Sequence, residues 1–312
     1  MSCSGRRRIH TTTISDGPCV KISGFSFVRN AIIYDFPLEE SLRSLLPLCD
    51  EVVVAVGASD DGTLDAVRGI EGNVRTIETV WDDALRQGGT VYAQQTDIAL
   101  GGCAGDWCIY LQGDEVIHED DRDLLLSEIR RADADPSVDA LLFRYIHFYG
   151  SYEYIGTGRQ WYRREIRAFR NTGDVISWGD AQGFRKRSAG GEIALLRARQ
   201  TEVRIFHYGW VKPPDIQQRK QRAAHRYWHD DQWIERNVPS EDWFDYGSAF
   251  QLERYRGTHP AVMRRRIEEA EPWTRHFDPT RLRPKPPLVR LTDWIERMTG
   301  WRIGEYRNFR EV

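Results

Sequence analysis

Short β-rich runs alternate with segments of helical periodicity over residues 21–150. "VKISGFSFV" has strand character, "LEESLRSLLPLC" repeats apolar positions at helical spacing, and "EVVVAVG" is a β-branched run suited to burial on both faces. "SDDGTLDAVRGI" reads as a turn feeding a short helix, "VRTIETV" as a third strand, "TVYAQQTDIALGGC" as a helix ending at glycines, and "WCIYLQG" as a fourth strand. A helix over "RDLLLSEIRRADAD" and a strand over "DALLFRYIHFY" complete the series. This order predicts an α/β fold with a mostly parallel central sheet, which binds ligands outside the carboxyl ends of its strands.

Past Tyr149 the segments become shorter, aromatic and basic: "SYEYIGTGRQWYRREIRAFRN", "ISWGDAQGFRKR" and the strand candidate "TEVRIFHYGWV". From Pro213 onward "DIQQRKQRAAHRYWHDDQWIERN" has helical character, and "RPKPP" marks a stiff linker before a final helix over "LTDWIERM". The expected organisation is a loose tail over 1–20, a main unit over 21–212 with halves at 21–150 and 151–212, and a helical extension over 213–312.

With 312 residues, 40% of them hydrophobic and 12% aromatic, the chain can bury a full core. Its formal net charge of −3 provides no global basic field, so nucleic acid is not an expected partner. The longest apolar stretches are strand-sized, which predicts no transmembrane segment. "MSCSGRRRIHTTT" has no apolar run directly behind its positive charge and does not read as a secretory signal, so a cytoplasmic protein is expected. Cys3, Cys19, Cys49, Cys103 and Cys108 are odd in number and form no C-x-x-C pair, against a disulfide framework or zinc site. Cys49, Cys103 and Cys108 sit among apolar residues, as buried thiols do.

"DWCIYLQGDEVIHEDD" runs from an apolar strand into a group of carboxylates. A carboxylate at the end of a buried strand suits a hard divalent cation, since Mg²⁺ or Mn²⁺ takes oxygen ligands and keeps positions open for phosphate. Asp114 is the first acid to emerge. Glu119, Asp120 and Asp121 have the alternative of decorating the first turn of the next helix. In "SDDGT", Ser59, Asp60 and Asp61 are candidates for nucleotide contacts, yet the same residues make a good turn with a helix cap. The run "YGSYEYIGTGRQWYRREIR" offers Trp161, Arg163, Arg164 and Arg167 for stacking on a sugar and binding its anionic groups, or else forms a hairpin with a solvated basic face. Phosphate-loop, dinucleotide-fingerprint, zincin, nucleophile-elbow and EF-hand motifs are absent from the sequence.

Four ordered stretches, "SGFSFVRNA", "VGASDDGT", "QQTDIAL" and "YLQGDEV", resemble the family 2 glycosyltransferases, over roughly Ile22 to Lys212. The resemblance implies the GT-A fold, a Rossmann-like βα sandwich, with nucleotide and metal held by residues 21–150 and the acceptor by 151–212. It implies a metal-dependent glycosyltransferase that moves a sugar from a nucleotide diphosphate donor to an acceptor hydroxyl on a glycan, lipid-linked or small-molecule acceptor, with a homodimer among the assemblies allowed. Asp114 takes the last position of the family's D-x-D motif and Gln112 replaces its first acid. His207 in "IFHYGW" stands where related enzymes complete the Mn²⁺ or Mg²⁺ site, with a structural histidine as the alternative. Arg29, Asn30, Gln95 and Asp97 join Ser59, Asp60, Asp61 and Gln112 as donor-site candidates. Asp180 in "WGDAQGF" resembles the acid that activates the acceptor in inverting members, a turn aspartate being the alternative. Glu115, Trp161, Arg163, Arg164 and Trp178 are assigned to the acceptor, with His147 as a pocket wall. The leading acid of the family's second-strand motif is replaced by Val56 or Gly57. A nucleotidyltransferase and a non-catalytic nucleotide-sugar or glycan binder remain as other readings.

Overall fold

The computed structural model describes residues 20–82, 85, 87–238, 242–275 and 277–312. The expected tail, with Cys3 and Cys19, lies outside the described residues except at its last position. β1 (Ile22–Val28), α1 (Leu38–Leu45), β2 (Glu51–Gly57), α2 (Thr63–Arg68), β3 (Val74–Thr79), α3 (Thr90–Gly101) and β4 (Trp107–Tyr110) form the alternating half. Then come β5 (Glu115–Ile117), α4 (Arg122–Asp133), β6 (Ala140–Tyr149), β7 (Ser151–Gly156), β8 (Arg164–Arg170), β9 (Val175–Trp178), β10 (Gly183–Arg187), β11 (Ile193–Leu195) and the long β12 (Arg197–Trp210). The remainder contributes α5 (Pro214–His225), α6 (Asp231–Asn237), β13 (Leu252–Arg254), α7 (Arg264–Thr274), α8 (Pro287–Thr299) and β14 (Arg310–Glu311).

The central sheet runs β13-β7-β6-β8-β4-β1-β2-β3, with β12 joined to β6, β5 and β14. The β4-β1-β2-β3 portion is parallel throughout, as the βα alternation requires. β8 adds antiparallel to β4 and β6, and β7 returns from β6 as a hairpin through Gly150, so the sheet becomes mixed where its connections shorten. The result is an α/β fold, a Rossmann-like parallel half continued by mixed strands. β2 explains why its run is uniformly apolar: Val52, Val54 and Val56 enter one buried cluster, while Val53 and Ala55 enter the cluster on the opposite face. The segment after Pro213 is helical in α5–α8 and also supplies β13 and β14 to the main sheet. Among the described residues, no helix is long and apolar enough to cross a membrane.

Candidate functional site

The carboxyl ends of β1, β3 and β4 open into a cavity of about 320 Å³, lined among others by Arg29, Asn30, Trp81, Gln112, Asp114, Asp180, His207 and Lys220. β12 sets its floor. It pairs antiparallel with β5 so that His207 lies opposite Glu115, one residue beyond Asp114, and parallel with β6 so that His207 lies beside His147. The Tyr208 amide donates to the Asp114 carbonyl at 2.8 Å, which fixes the turn carrying the carboxylate.

The hydrogen-bond chain behind His207 determines which of its nitrogens carries the proton. His147 Nε2 lies 2.7 Å from the carbonyl oxygen of Tyr162, which only accepts, so Nε2 is protonated. Burial, reinforced by His207, holds His147 well below the ordinary histidine range, so it is neutral and its Nδ1 accepts. The 3.0 Å contact between the two Nδ1 atoms therefore takes its hydrogen from His207. Burial also lowers the pKa of His207, despite the opposing charge of Asp114. A neutral His207 then turns the lone pair of Nε2 toward Asp114 Oδ1, 3.8 Å away. Two acceptors face each other without a hydrogen between them.

Lys220, on α5, donates to the other carboxylate oxygen, Asp114 Oδ2, at 3.1 Å and to the Gly209 carbonyl at 3.0 Å. Burial would raise the pKa of Asp114, but the Lys220 ammonium beside it leads the opposing influences, which hold this carboxyl well below the usual range. Burial, together with Lys220, pushes Lys212 down to about 7, and its ammonium donates to the Asp35 carbonyl at 2.5 Å. A side chain at Gly209 would fill the slot, since a Cβ there would come within 2.6 Å of Asp114 Oδ2 and 2.7 Å of His207 Nε2.

Asp114 Oδ1 and His207 Nε2 are donor types that Mn²⁺ or Mg²⁺ accepts, and their facing lone pairs fit such an ion. Among the described residues no group of three or more His, Cys, Asp and Glu side chains converges to hold a metal, so the remaining ligands would come from what the ion binds.

Aromatic side chains form the far wall. Trp81, Tyr92 and Tyr227 meet at centroid distances of 5.2 to 5.6 Å, Phe27 packs on Trp81 and Tyr92, and the Arg29 guanidinium lies over Trp81 while donating to the Tyr227 hydroxyl at 3.2 Å. The indole of Trp81 sits so close to Gly57 that a Cβ there would approach its Nε1 to 2.3 Å. The carboxyl end of β2 is therefore covered by an aromatic ring at Gly57. Asp180 enters the cavity from the β9–β10 turn, between Gly179 and Ala181, which both adopt φ of 65°. Ala181 is buried, so this left-handed conformation is held by packing against its intrinsic cost. Burial raises the pKa of Asp180.

Other predicted residues are engaged elsewhere. Asp61 accepts from the amides of Ile32, Ile33 and Thr63, Ser59 accepts from the Asn30 amide, and the Asp60 amide donates to Asn30 Oδ1, so "SDDGT" stitches the loop after β1 to the start of α2. Gln95 is buried and accepts from Thr79 of β3, while Asp97 accepts from the Ser177 amide of β9, so each is engaged by a different sheet packed on α3. Glu115 lies in a fully buried pair with Arg167, at 2.8 Å for each of two parallel contacts. Arg163 pairs with Glu296 and Glu305, Arg164 with Glu311, and Trp178 packs against Arg185. The three arginine–glutamate contacts bind the middle of the chain to its C-terminal segment. Trp161 is buried and stacks on His147, which orients the floor histidine where a pocket wall was expected. Lys220, Lys212, Trp81, Tyr92 and Tyr227 are the site residues that sequence reasoning missed.

No family model matches the chain, and no curated protein matches it in sequence. Among solved structures, S. aureus TarS is 16% identical with a TM-score of 0.39, covering 71% of this chain and 41% of TarS. Its 1–349 fragment in complex with UDP-GlcNAc is 15% identical with a TM-score of 0.38, over 71% of this chain and 68% of the fragment. Glucosyl-3-phosphoglycerate synthase from Mycobacterium tuberculosis, in complex with Mn²⁺, UDP and glucosyl-3-phosphoglycerate, is 15% identical with a TM-score of 0.28, over 42% of this chain and 45% of that one. The chain thus spans less than half the length of the first of these structures.

Proposed function

We propose that this protein is a family 2 glycosyltransferase, a cytoplasmic hexosyltransferase that moves a sugar from a nucleotide diphosphate donor to an acceptor hydroxyl with inversion. The observation that carries the reading is the facing pair Asp114 Oδ1 and His207 Nε2 at the carboxyl end of a parallel sheet, with the Lys220 ammonium on the same carboxylate. Asp114 and His207 would hold Mn²⁺ or Mg²⁺, which neutralises the diphosphate leaving group when bound. Lys220 adds a second positive charge on the leaving-group side. The Trp81, Tyr92 and Tyr227 wall supplies a stacking surface for the base, with Arg29 at its edge. Asp180, its pKa raised by burial, would accept the proton of the acceptor hydroxyl, since a raised pKa strengthens a carboxylate as a base. The free thiols of Cys49, Cys103 and Cys108 agree with a reducing compartment.

The test is calorimetric titration of UDP, GDP, CDP and dTDP, each with and without Mn²⁺, into the wild type and Asp114→Asn. Cation-dependent binding of one nucleotide that weakens at least tenfold in the variant is expected. Absence of binding to all four, with or without the cation, refutes the reading.

A further inference from the structure

Helix α8 is amphipathic in the reverse sense. Leu288, Leu291, Trp294 and Met298 follow one another at intervals of three, three and four residues, so they share one face, and they are 71%, 54%, 60% and 68% exposed. No residue of the helix is buried. The acidic side chains of its other face turn toward the protein: Asp293 pairs with Lys285 at 2.6 Å, and Glu296 pairs with Arg159 at 2.5 Å and Arg163 at 3.3 Å. Ion pairs hold the helix down while its apolar stripe faces outward. Exposed Trp301 and Tyr306 continue the aromatic surface beyond the Gly300 cap.

Charge distinguishes among occupants. From Arg281 to Arg307 there are seven Lys and Arg residues (281, 283, 285, 290, 297, 302 and 307) against three acids (293, 296 and 305), a local excess of four positive charges in a chain of net −3. All three acids are ion-paired, Glu305 with Arg163. The charge left outward is positive, and exposed Arg290 and Arg297 flank the stripe, where their stems can lie along an apolar boundary with the guanidinium groups in the polar layer. A second copy fits this face poorly. Thirteen residues make a helix about 20 Å long, whose stripe with Trp301 and Tyr306 offers six exposed apolar residues, against roughly 20–30 residues a side in a stable interface. A two-fold contact would also oppose like charges.

We propose that α8 and the following loop to Arg307 lie flat on an anionic lipid surface, with Leu288, Leu291, Trp294 and Met298 entering the boundary between headgroups and acyl chains and Arg290 and Arg297 meeting the headgroups. The proposal stands on this surface alone, independently of the reaction assigned to the cleft.

The experiment is sedimentation of the full chain with phosphatidylcholine vesicles, with and without phosphatidylglycerol, alongside light scattering of the protein alone. Leu291→Glu/Met298→Glu and Arg290→Glu/Arg297→Glu alter exposed positions, and unchanged melting and nucleotide binding would show that the fold and cleft persist. Binding to the phosphatidylglycerol vesicles at least tenfold stronger than to neutral ones, lost in both double variants, is the expected result. Absence of sedimentation with the anionic vesicles overturns the proposal, as does binding unchanged in Leu291→Glu/Met298→Glu. A wild-type dimer that this variant dissociates, without vesicle binding, assigns the face to a second copy instead.

Discussion

His207 Nε2 faces Asp114 Oδ1 across 3.8 Å because His147 stands behind it, accepting the hydrogen of Nδ1. His147 is itself fixed by stacking on Tyr145 and Trp161 and by its bond to the Tyr162 carbonyl. His147→Phe keeps an aromatic ring in the stack and removes the acceptor, which frees His207 to protonate Nε2. Residues that orient a metal-ligating histidine typically contribute 10–100-fold to affinity. The expected outcome is a loss of this size in Mn²⁺-dependent nucleotide binding, measured by calorimetry, with cation-independent binding little changed. Unaltered Mn²⁺ dependence would mean that the tautomer does not control the site.

Gly209 provides a second way to close the slot. It is not among the residues with positive φ, so Gly209→Ala meets no intrinsic backbone objection. Its new methyl group would crowd both Asp114 and His207. Relieving such an overlap costs roughly 1–3 kcal/mol and displaces the carboxylate or the ring. Cation-dependent nucleotide binding should fall below detection while the circular dichroism spectrum stays native. Full binding by the variant would place the ligand elsewhere in the cleft.

How far the site could be read depended on whether its residues lie in local patterns. The β-branched run of β2 and the acid at the end of β4 are local signals, and the elements around them follow the sequence reading closely. The acidic stretch shows where such reading stops. One carboxylate, Asp114, reaches the cleft, while Glu115 pairs with Arg167, Asp121 with Arg204, and Glu119 accepts from the Ala261 amide. Successive strand residues point to opposite faces, and their partners lie 52 to 142 residues away, so composition alone could not sort them. Lys220 was invisible for the same reason. It lies 106 residues from Asp114, on a helix whose charged run reads as a solvated face. The packing of Trp81 against Gly57, 24 residues apart in the chain, is likewise a contact that no linear motif records.

Glu115 was expected at the acceptor, and the Arg167 pair leads to a different prediction. Both side chains are fully buried, and Arg167 also donates to the carbonyls of Ile166 and Gln182. Removing one member of such a pair leaves the other charge desolvated, at a cost of about 3–5 kcal/mol. Arg167→Met should lower the free energy of unfolding in urea by that amount. Glu115→Gln should cost a similar amount, because the uncharged amide leaves the buried Arg167 guanidinium without its counter-charge and turns one N–H toward it. If instead Glu115→Gln leaves stability intact and weakens only acceptor affinity, the residue belongs to the acceptor site after all.

Glu165 gives the pH dependence a sign. Burial pushes its carboxyl up to about 7 against the opposing influence of Arg167 and the bond from Gln182, from an ordinary value of 4.5. The folded state therefore retains a proton between pH 4.5 and 7 that the unfolded chain has released. Stability from this group is fully present below pH 4.5, declines as pH rises through 7, and is absent above it. The shift corresponds to a difference on the order of 3 kcal/mol between the two ends of the window. Glu165→Gln mimics the protonated form at every pH, and Gln182 can still donate to its amide oxygen. The variant should match the wild type near pH 4.5 and exceed it in urea-unfolding free energy at pH 8, with the gain developing between pH 5 and 7. A constant difference across the range would show that Glu165 does not titrate in this window, and a variant less stable at pH 8 would show that the ionised carboxylate is the form the fold requires.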